Sequence, residues 1–245
     1  MNKNFYRFLT WFLLPAGCGA LLVALYFSIS EPLEFKEERM FRQREAVQRL
    51  KDIRELQEAF CGKFGRYAPT MDSLIWFYNT QAIKVVRKIG SYDDSLAVEN
   101  TKKITQQIKN KKPGISDKAL LDSLNARYEK NTELRIVFQT EVNEAVKDRL
   151  FKSRNPKFIV DSLRYIPYSG GDTVIMRTTL DKEKGYLRPL FEACMPFKSL
   201  LRGMDNQMRI NLDAEQEDKG HYKGLKVGDA ETPNGNAGNW EEEDL

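Results

Sequence analysis

Apolar and polar positions divide the chain into regions of different character, and the first is purely apolar. Residues 8–29, "FLTWFLLPAGCGALLVALYFSI", contain no Asp, Glu, Lys or Arg. These 22 residues would measure about 33 Å as an α-helix, enough to cross the hydrocarbon core of a bilayer. Trp11 and Tyr26 lie near its two ends, where aromatic rings favour the membrane interface. The pattern predicts a short cytoplasmic tail, residues 1–7, and a transmembrane helix, residues 8–29.

Two kinds of processed segment are alternatives to a permanent anchor. A cleaved secretory signal has a shorter apolar region, roughly 7 to 15 residues. A lipoprotein signal is suggested by "PAGC", which places small residues before Cys18. However, the residues that follow Cys18 are mostly apolar, whereas a lipidated mature chain usually begins with polar residues. We therefore expect an uncleaved signal-anchor.

The orientation of this helix depends on charges that flank it on both sides. The basic residues are Lys3 and Arg7 before it, and Lys36, Arg39, Arg42 and Arg44 after it. A simple count of Lys and Arg would leave the large domain in the cytoplasm. The charges nearest the apolar core favour the opposite, because Arg7 precedes it and Glu31 and Glu34 follow it. We expect a single-pass protein of the cytoplasmic (inner) membrane with its large domain outside the cytoplasm.

The next region, residues 30–62, is rich in charge and carries a narrow apolar stripe. Ser30 is suited to cap a new helix and Pro32 to occupy its first turn. Apolar residues then recur at spacings of three and four, which is typical of an amphipathic helix. We define the stalk seam as Val47, Leu50, Ile53 and Leu56. Such a stripe predicts a stalk helix whose seam packs either on a partner protein or within its own chain.

Residues 63–212 combine helical and strand patterns and predict an extracytoplasmic α+β domain. A helix is expected from Thr70, a strand over 81–90 that ends at Gly90, and a helix capped by Ser116. The later patterns predict strands at 134–138 and 140–146, a hairpin turning at Gly170 and Gly171, a strand at 190–197, a helical turn at 198–204 and a strand at 207–212. Together they predict a small antiparallel β-sheet with covering helices.

The last region, residues 213–245, is acidic and rich in Gly and Asn. From Asn211 onward ten acidic residues oppose three lysines, a net charge of −7, while the rest of the chain is +11, which gives the total of +4. Trp240 is an unusual residue to leave in water. We expect Trp240 to dock on the domain or on a partner, with a frayed end as the alternative.

The cysteines allow one bridge outside the apolar segment, between Cys61 and Cys194. An oxidising compartment would favour this disulfide, and closing so long a loop would contribute roughly 4 kcal/mol. Two free thiols are the alternative.

Motifs of enzyme chemistry are absent from the sequence. The single histidine, His221, has no nucleophile or metal-ligand pattern around it, and no phosphate-binding glycine loop occurs. The lysine run at 109–112 lacks the interleaved aromatics of a nucleic-acid site. We therefore predict that the protein is not an enzyme and uses no cofactor, metal or nucleic acid. Carboxylates are plentiful, so a membrane-tethered hydrolase that uses them is kept as the third functional hypothesis.

The first third of the chain resembles a known family. An apolar N-terminal span, a charged helix and "FGRYAPTMDSL" resemble the pilin and pseudopilin subunits of type IV pili and type II secretion, in which a turn of the form Gly-x-Tyr-Pro-Thr follows a long first helix. Gly65, Tyr67, Pro69, Thr70 and Leu74 occupy comparable places. The family's processing glycine before Phe and the glutamate in its apolar span are absent here. The resemblance implies a helix and sheet on a membrane-anchored stem more than it implies filament assembly.

The sequence thus predicts a structural or assembly component of a cell-envelope complex that acts by protein–protein interaction. Its predicted partners are the bilayer and other membrane or envelope proteins, with self-association left open. A pseudopilin-like subunit of a secretion or pilus system is the alternative.

Overall fold

The structure is a computed structural model that describes Trp11 and residues 14–151, 158–183 and 186–241. The remainder of the predicted tail and span (residues 1–10 and 12–13) and residues 242–245 lie outside the described residues. In chain order the elements are α1 (Leu14–Phe64), α2 (Met71–Thr80), β1 (Ala82–Ile89), α3 (Ser95–Lys111), α4 (Asp117–Lys130), β2 (Phe138–Ala145), α5 (Val146–Arg149), a 3-10 helix (Val160–Arg164), β3 (Ile175–Glu183), β4 (Tyr186–Pro196), α6 (Phe197–Leu200), α7 (Asn206–Asp218) and β5 (Gly224–Gly228).

These elements give the predicted α+β fold, with a long N-terminal helix that is apolar at its start and antiparallel sheets with helices. They fall into two compact units. The first unit comprises Met1–Ile75 and Lys157–Leu245, and the second comprises Trp76–Pro156. The domain boundaries proposed from the sequence stay predictions.

Helix α1 runs without interruption through the point where a new helix was expected. The Ser30 hydroxyl donates to the Tyr26 carbonyl, four residues back, at 2.9 Å, as in a helix interior. Pro32 also lies inside α1 and removes one backbone N–H from it. The predicted helix start at Ser30 is therefore wrong, and both residues are interior positions of one 51-residue helix.

The core of the first unit forms where α1 packs on a three-stranded antiparallel sheet of order β3-β4-β5. The register places Ala193 opposite Val227 and Met195 opposite Leu225. Directly opposed residues share a face of the sheet, and these four are buried. Leu50, Ile53 and Leu56 of α1 and Phe191 of β4 are buried as well.

The C-terminal third departs from the predicted pattern at two places. Residues 207–212 were expected to form a strand, but they lie in α7. Asp205 caps this helix, since its carboxylate accepts the Met208 N–H at 2.7 Å. Leu212 and Gln216, four residues apart, supply the buried side. The strand is supplied instead by β5, from the region predicted to be an extended tail.

The predicted turn at Gly170 and Gly171 is present, but it closes a loop rather than a long hairpin. Both glycines have positive φ, 74° and 119°. Only Tyr165 and Thr173 form a bridge across this loop. The strand that follows, β3, pairs along its length with β4.

The second unit is built on an antiparallel pair, β1 and β2, that α3 and α4 cover on one face. The predicted strand before Gly90 and the Ser116 cap are confirmed, because β1 ends at Ile89 and the Ser116 hydroxyl accepts the Ala119 N–H at 3.4 Å. Of the two strands predicted at 134–138 and 140–146, the structure has only one, β2 (Phe138–Ala145), and residues 134–137 lie in no strand. Helix α3, capped by Asp94, was not predicted.

Candidate membrane anchor and partner-binding residues

The first part of α1 presents an uncovered apolar surface. Every side chain of residues 16–29 is exposed in the described structure. Leu22 is 67% exposed, Tyr26 68% and Ile29 61%. Burying a large apolar side chain stabilises a protein by about 1.5 to 3 kcal/mol relative to leaving it in water. A continuous row of such side chains therefore needs an apolar environment that the described chain does not provide.

The helix that carries this surface is suited to a lipid environment. One helix of the described chain, Ala16–Phe64, is long and apolar enough to cross a membrane. A helix satisfies its own backbone hydrogen bonds, which a bilayer core requires. Charged residues begin at Glu31 and Glu34, both exposed, so the apolar surface ends abruptly.

The stalk seam lies in the core of the first unit. Leu50, Ile53 and Leu56 are 0% exposed, and Val47 is half-buried. Their spacing correctly indicated a buried face, and the structure places that face against its own sheet. This arrangement corresponds to packing within the chain, and a role of the seam in partner binding stays a prediction.

Two arginines fasten α1 to distant backbone carbonyls of the first unit. The Arg42 guanidinium donates to the carbonyls of Leu200 (3.3 Å) and Arg202 (2.9 Å). The Arg49 guanidinium donates to the carbonyls of Ser162 (3.1 Å) and Tyr165 (2.6 Å). These bonds fix the helix against backbone that is more than a hundred residues away in sequence. No local sequence pattern predicts such contacts.

Acidic residues one turn earlier hold both arginines in place. Glu38 accepts from Arg42 at 2.7 Å and Glu45 accepts from Arg49 at 2.9 Å. The spacing of four was visible in the sequence and is favourable on a helix. It carries no indication that the guanidinium groups also bond to distant backbone carbonyls.

Tyr168 sits beside these groups in an uncommon backbone conformation. Its φ is 60°, which few non-glycine residues adopt. Its ring lies under the Arg42 guanidinium at 4.9 Å, and its hydroxyl donates to Glu45 at 2.5 Å. Tyr168 and the neighbouring Phe41 are both exposed. The conformation is therefore held by contacts, and it leaves an aromatic surface in solvent.

The described end of the chain lies along β5. The side chain of Asn239 accepts the Lys226 N–H at 3.0 Å and donates to the Gly224 carbonyl at 2.9 Å. Trp240 is half-buried, and its ring lies so close to Gly238 that a Cβ there would meet it at 2.3 Å. Glu241 pairs with Arg54 at 2.9 Å. A contact between Trp240 and another protein stays a prediction.

Both cysteines of the candidate disulfide are free thiols in the structure. Cys61 is partly exposed and Cys194 is buried. Burial raises the pKa of Cys194 to about 12, with a smaller contribution from Glu192. The arrangement corresponds to the free-thiol alternative.

A charged cluster that no sequence pattern indicates lies on the other face of the first unit's sheet. Glu192 lies between Arg177 and Lys226, each at 3.7 Å, and Lys226 pairs with Asp229 at 2.9 Å. Positive and negative groups alternate, so the cluster neutralises itself. Among the described residues no group of three or more His, Cys, Asp or Glu side chains could hold a metal ion, and His221 is exposed.

Comparison with known proteins adds no relative. No family model, curated protein or solved structure matches the chain.

Proposed function

We propose that the protein is a single-pass membrane-anchored component of a cell-envelope complex that acts through protein–protein contacts. Its α1 helix crosses the cytoplasmic (inner) membrane near its N-terminal end, and both units lie outside the cytoplasm. The exposed apolar surface of residues 16–29 carries this proposal, because no described residue covers it and the helix to which it belongs is long and apolar enough to cross a membrane.

Two features support the partner-binding part of the proposal. They are a charged cluster whose members pair with one another and a group of exposed aromatic side chains. The cluster around Glu192 is paired internally, which suits a structural role. Exposed aromatic residues such as Phe41 and Tyr168 lie beside the arginines that fasten α1. Aromatic residues and arginine are both enriched at protein interfaces.

The anchor is tested by alkaline carbonate washing of membranes that contain the intact chain. We expect the protein to stay in the pellet, and release into the supernatant would refute the anchor. The double variant Leu22→Arg with Leu25→Arg should lose membrane retention, since an arginine at a helix centre costs about 2.5 to 3.5 kcal/mol on insertion. The matched control is Leu180→Arg with Leu187→Arg, exposed leucines of the sheet, and it should remain in the pellet.

The complex is tested by cross-linking in intact cells and identification of the captured proteins. Recovery of defined envelope proteins at constant ratio would support an assembly role. A chain that cross-links to nothing, while residing in the membrane, would refute it.

A pseudopilin-like subunit is the second candidate. It is supported by one continuous helix that leads from an apolar start into an α+β unit with an antiparallel sheet. Peptidase processing of the N-terminus would support it. A mature chain that still begins at Met1 would refute processed pilin assembly.

A further inference from the structure

The outer edge of β1 is an open strand edge. β1 pairs with β2 over eight residues, from Ala82 opposite Ala145 to Ile89 opposite Phe138. Within the described chain, residues 83–89 make no backbone hydrogen bonds other than those to β2. In an antiparallel strand alternate residues direct their N–H and C=O groups outward. Three or four residues of β1 therefore offer unpaired backbone groups.

A sheet of only two strands is a natural acceptor of a third. Two-stranded sheets are marginal by themselves and gain stability from additional strands. Open edges are used in this way for recognition of extended segments, in which backbone bonds give affinity and side chains give selectivity. Here α3 and α4 cover one face of the pair, and the edge of β1 stays accessible.

The side chains of β1 define the chemistry of the partner strand. The segment "AIKVVRKIG" (residues 82–90) contains Lys84, Arg87 and Lys88 and no acidic residue. Lys84, Val86 and Lys88 alternate along one face, and Val86 is 55% exposed. The complementary face of an added strand would read acidic, apolar, acidic.

Strand β2 carries one acidic residue on the same face, between Asn143, which lies opposite Lys84, and Gln139, which lies opposite Lys88. Its Glu141 lies directly opposite Val86 and reaches Lys84 at 4.0 Å. Arg87 and Lys88 have no carboxylate partner among the described residues. Opposite charges across neighbouring strands are favourable, and like charges are unfavourable. The same rule disfavours pairing of β1 with β1 of a second copy, since it would oppose basic residues.

We infer that the outer edge of β1 binds an acidic extended segment of another protein by strand addition. This gives the proposed protein-binding role a surface and a partner chemistry, and it rests on that role. The test uses no lipid bilayer, so its failure would leave the membrane-anchor result unaffected.

The probe is the synthetic heptapeptide Thr-Glu-Thr-Val-Thr-Glu-Thr. The control peptide carries lysine in place of both glutamates. Hydrogen exchange of the full chain in detergent micelles, read by mass spectrometry, locates any binding. We expect the acidic peptide to slow exchange of backbone amides within residues 83–89 and the lysine peptide to leave them unchanged.

Charge reversal separates strand pairing from general attraction. The variant Lys84→Glu with Lys88→Glu should weaken the acidic peptide about tenfold or more and should gain affinity for the lysine peptide, since both cross-strand pairs reverse sign. The matched control, Lys102→Glu with Lys109→Glu, makes the same charge change on exposed positions of α3. It should alter the affinity for either peptide less than threefold.

Four results of the peptide experiments would overturn the inference. They are the absence of binding by the acidic peptide, equal protection by both peptides, protection confined to another strand edge such as β3, and equal weakening by the two double variants. Displacement of the peptide by a single-stranded oligonucleotide at lower concentration would also overturn it, because it would assign the basic surface to nucleic acid. Concentration-dependent protection of β1 without peptide would assign the edge to a second copy.

Discussion

The side-chain amide of Gln57 binds both backbone groups of Ala68. Its nitrogen donates to the Ala68 carbonyl at 3.0 Å, and its oxygen accepts the Ala68 N–H at 2.8 Å. Both residues are 0% exposed. The chain leaves α1 at Gly65, whose φ is 70°. The two bonds then hold Ala68 against the helix, in the way that a neighbouring β-strand would pair with its backbone.

Replacing this amide should destabilise the first unit strongly. Gln57→Leu keeps the approximate volume but leaves the buried N–H and C=O of Ala68 without partners, which costs about 2 to 4 kcal/mol. The measurement is urea unfolding in detergent micelles, followed by circular dichroism. Gln207→Leu is the control, because the Gln207 side chain is exposed and, among the described residues, bonds only to Asn211 on the same helix. Equal effects of the two variants would show that the Ala68 contact contributes little.

Gly90 should be irreplaceable at the end of β1. Its φ is +72°, and a Cβ there would lie 2.3 Å from the Ile136 carbonyl oxygen. Gly90→Ala therefore combines an unfavourable backbone conformation, about 1 to 2 kcal/mol, with a clash against backbone, for a total of about 3 kcal/mol or more. Gly114→Ala in the same unit has a φ of +85° but open space around it.

The comparison of these two glycine variants isolates the clash. Gly114→Ala should cost only the conformational part. Hydrogen exchange of the amides of β1 and β2 reports the stability of this unit directly. A Gly90→Ala protein with exchange rates like those of Gly114→Ala would mean that β1 and the loop at Ile136 separate at little cost.

Several elements were predictable because their signals are local. The apolar start of α1, the Ser116 cap and the strand that ends at Gly90 each depend on residues within one turn or one strand. The seam was also recognised as a buried face from its spacing. What it packs against was not, since β4 and β5 lie more than a hundred residues further along the chain.

The errors arose where local pattern was ambiguous. Met208, Ile210 and Leu212 alternate as in a strand. In the structure the buried side of the helix is formed by Leu212 and Gln216, four residues apart. Ile210 is exposed as a result. Because Gln216 is polar, the helical apolar pattern is not visible in the sequence. Strand β5 is short and begins and ends with glycine, and it is stabilised by pairing with β4 and by packing against α1, neither of which is visible in its local sequence. The partners of Arg42 and Arg49 are backbone carbonyls, which carry no sequence signal at all.

Cys194 should be inert toward thiol reagents in the folded protein. Its pKa of about 12 leaves almost none of the reactive thiolate at neutral pH, and its side chain is buried. Cys61 is partly exposed, although burial raises its pKa as well. Of these two thiols, we expect N-ethylmaleimide to modify Cys61 in the folded protein and Cys194 only after denaturation.

The same labelling decides the disulfide. Mass spectrometry without reductant should show both thiols modified once the chain is denatured, with Cys61→Ala and Cys194→Ala assigning the sites. Two cysteines that resist labelling in denaturant until a reductant is added would establish a Cys61–Cys194 bond and contradict the free-thiol arrangement.

The first unit should lose stability in acid because the Asp229 carboxylate becomes protonated. Burial by itself would raise its pKa. Hydrogen bonds from Lys226 and from the backbone N–H groups of Glu231 and Thr232 outweigh this effect and lower the pKa from 3.8 to about 2. A carboxylate with a lower pKa in the folded than in the unfolded state stabilises the fold above the unfolded value, and the stabilisation is lost as pH falls through the folded value. The loss should therefore occur between about pH 4 and pH 2.

Asp229→Asn isolates this charge, because the amide oxygen still accepts the two backbone N–H groups. At pH 6 the variant should be less stable to urea by about 1 kcal/mol, a value reduced for solvent screening of a partly exposed pair. The difference from the unmodified protein should shrink as the pH falls toward 2 and vanish below it, where Asp229 is itself protonated. Asp218→Asn, which removes an exposed carboxylate with no hydrogen bond or ion pair among the described residues, should not follow this course. A difference between Asp229→Asn and the unmodified protein that persists unchanged at pH 2 would show that geometry, rather than the charge paired with Lys226, stabilises the loop after β5.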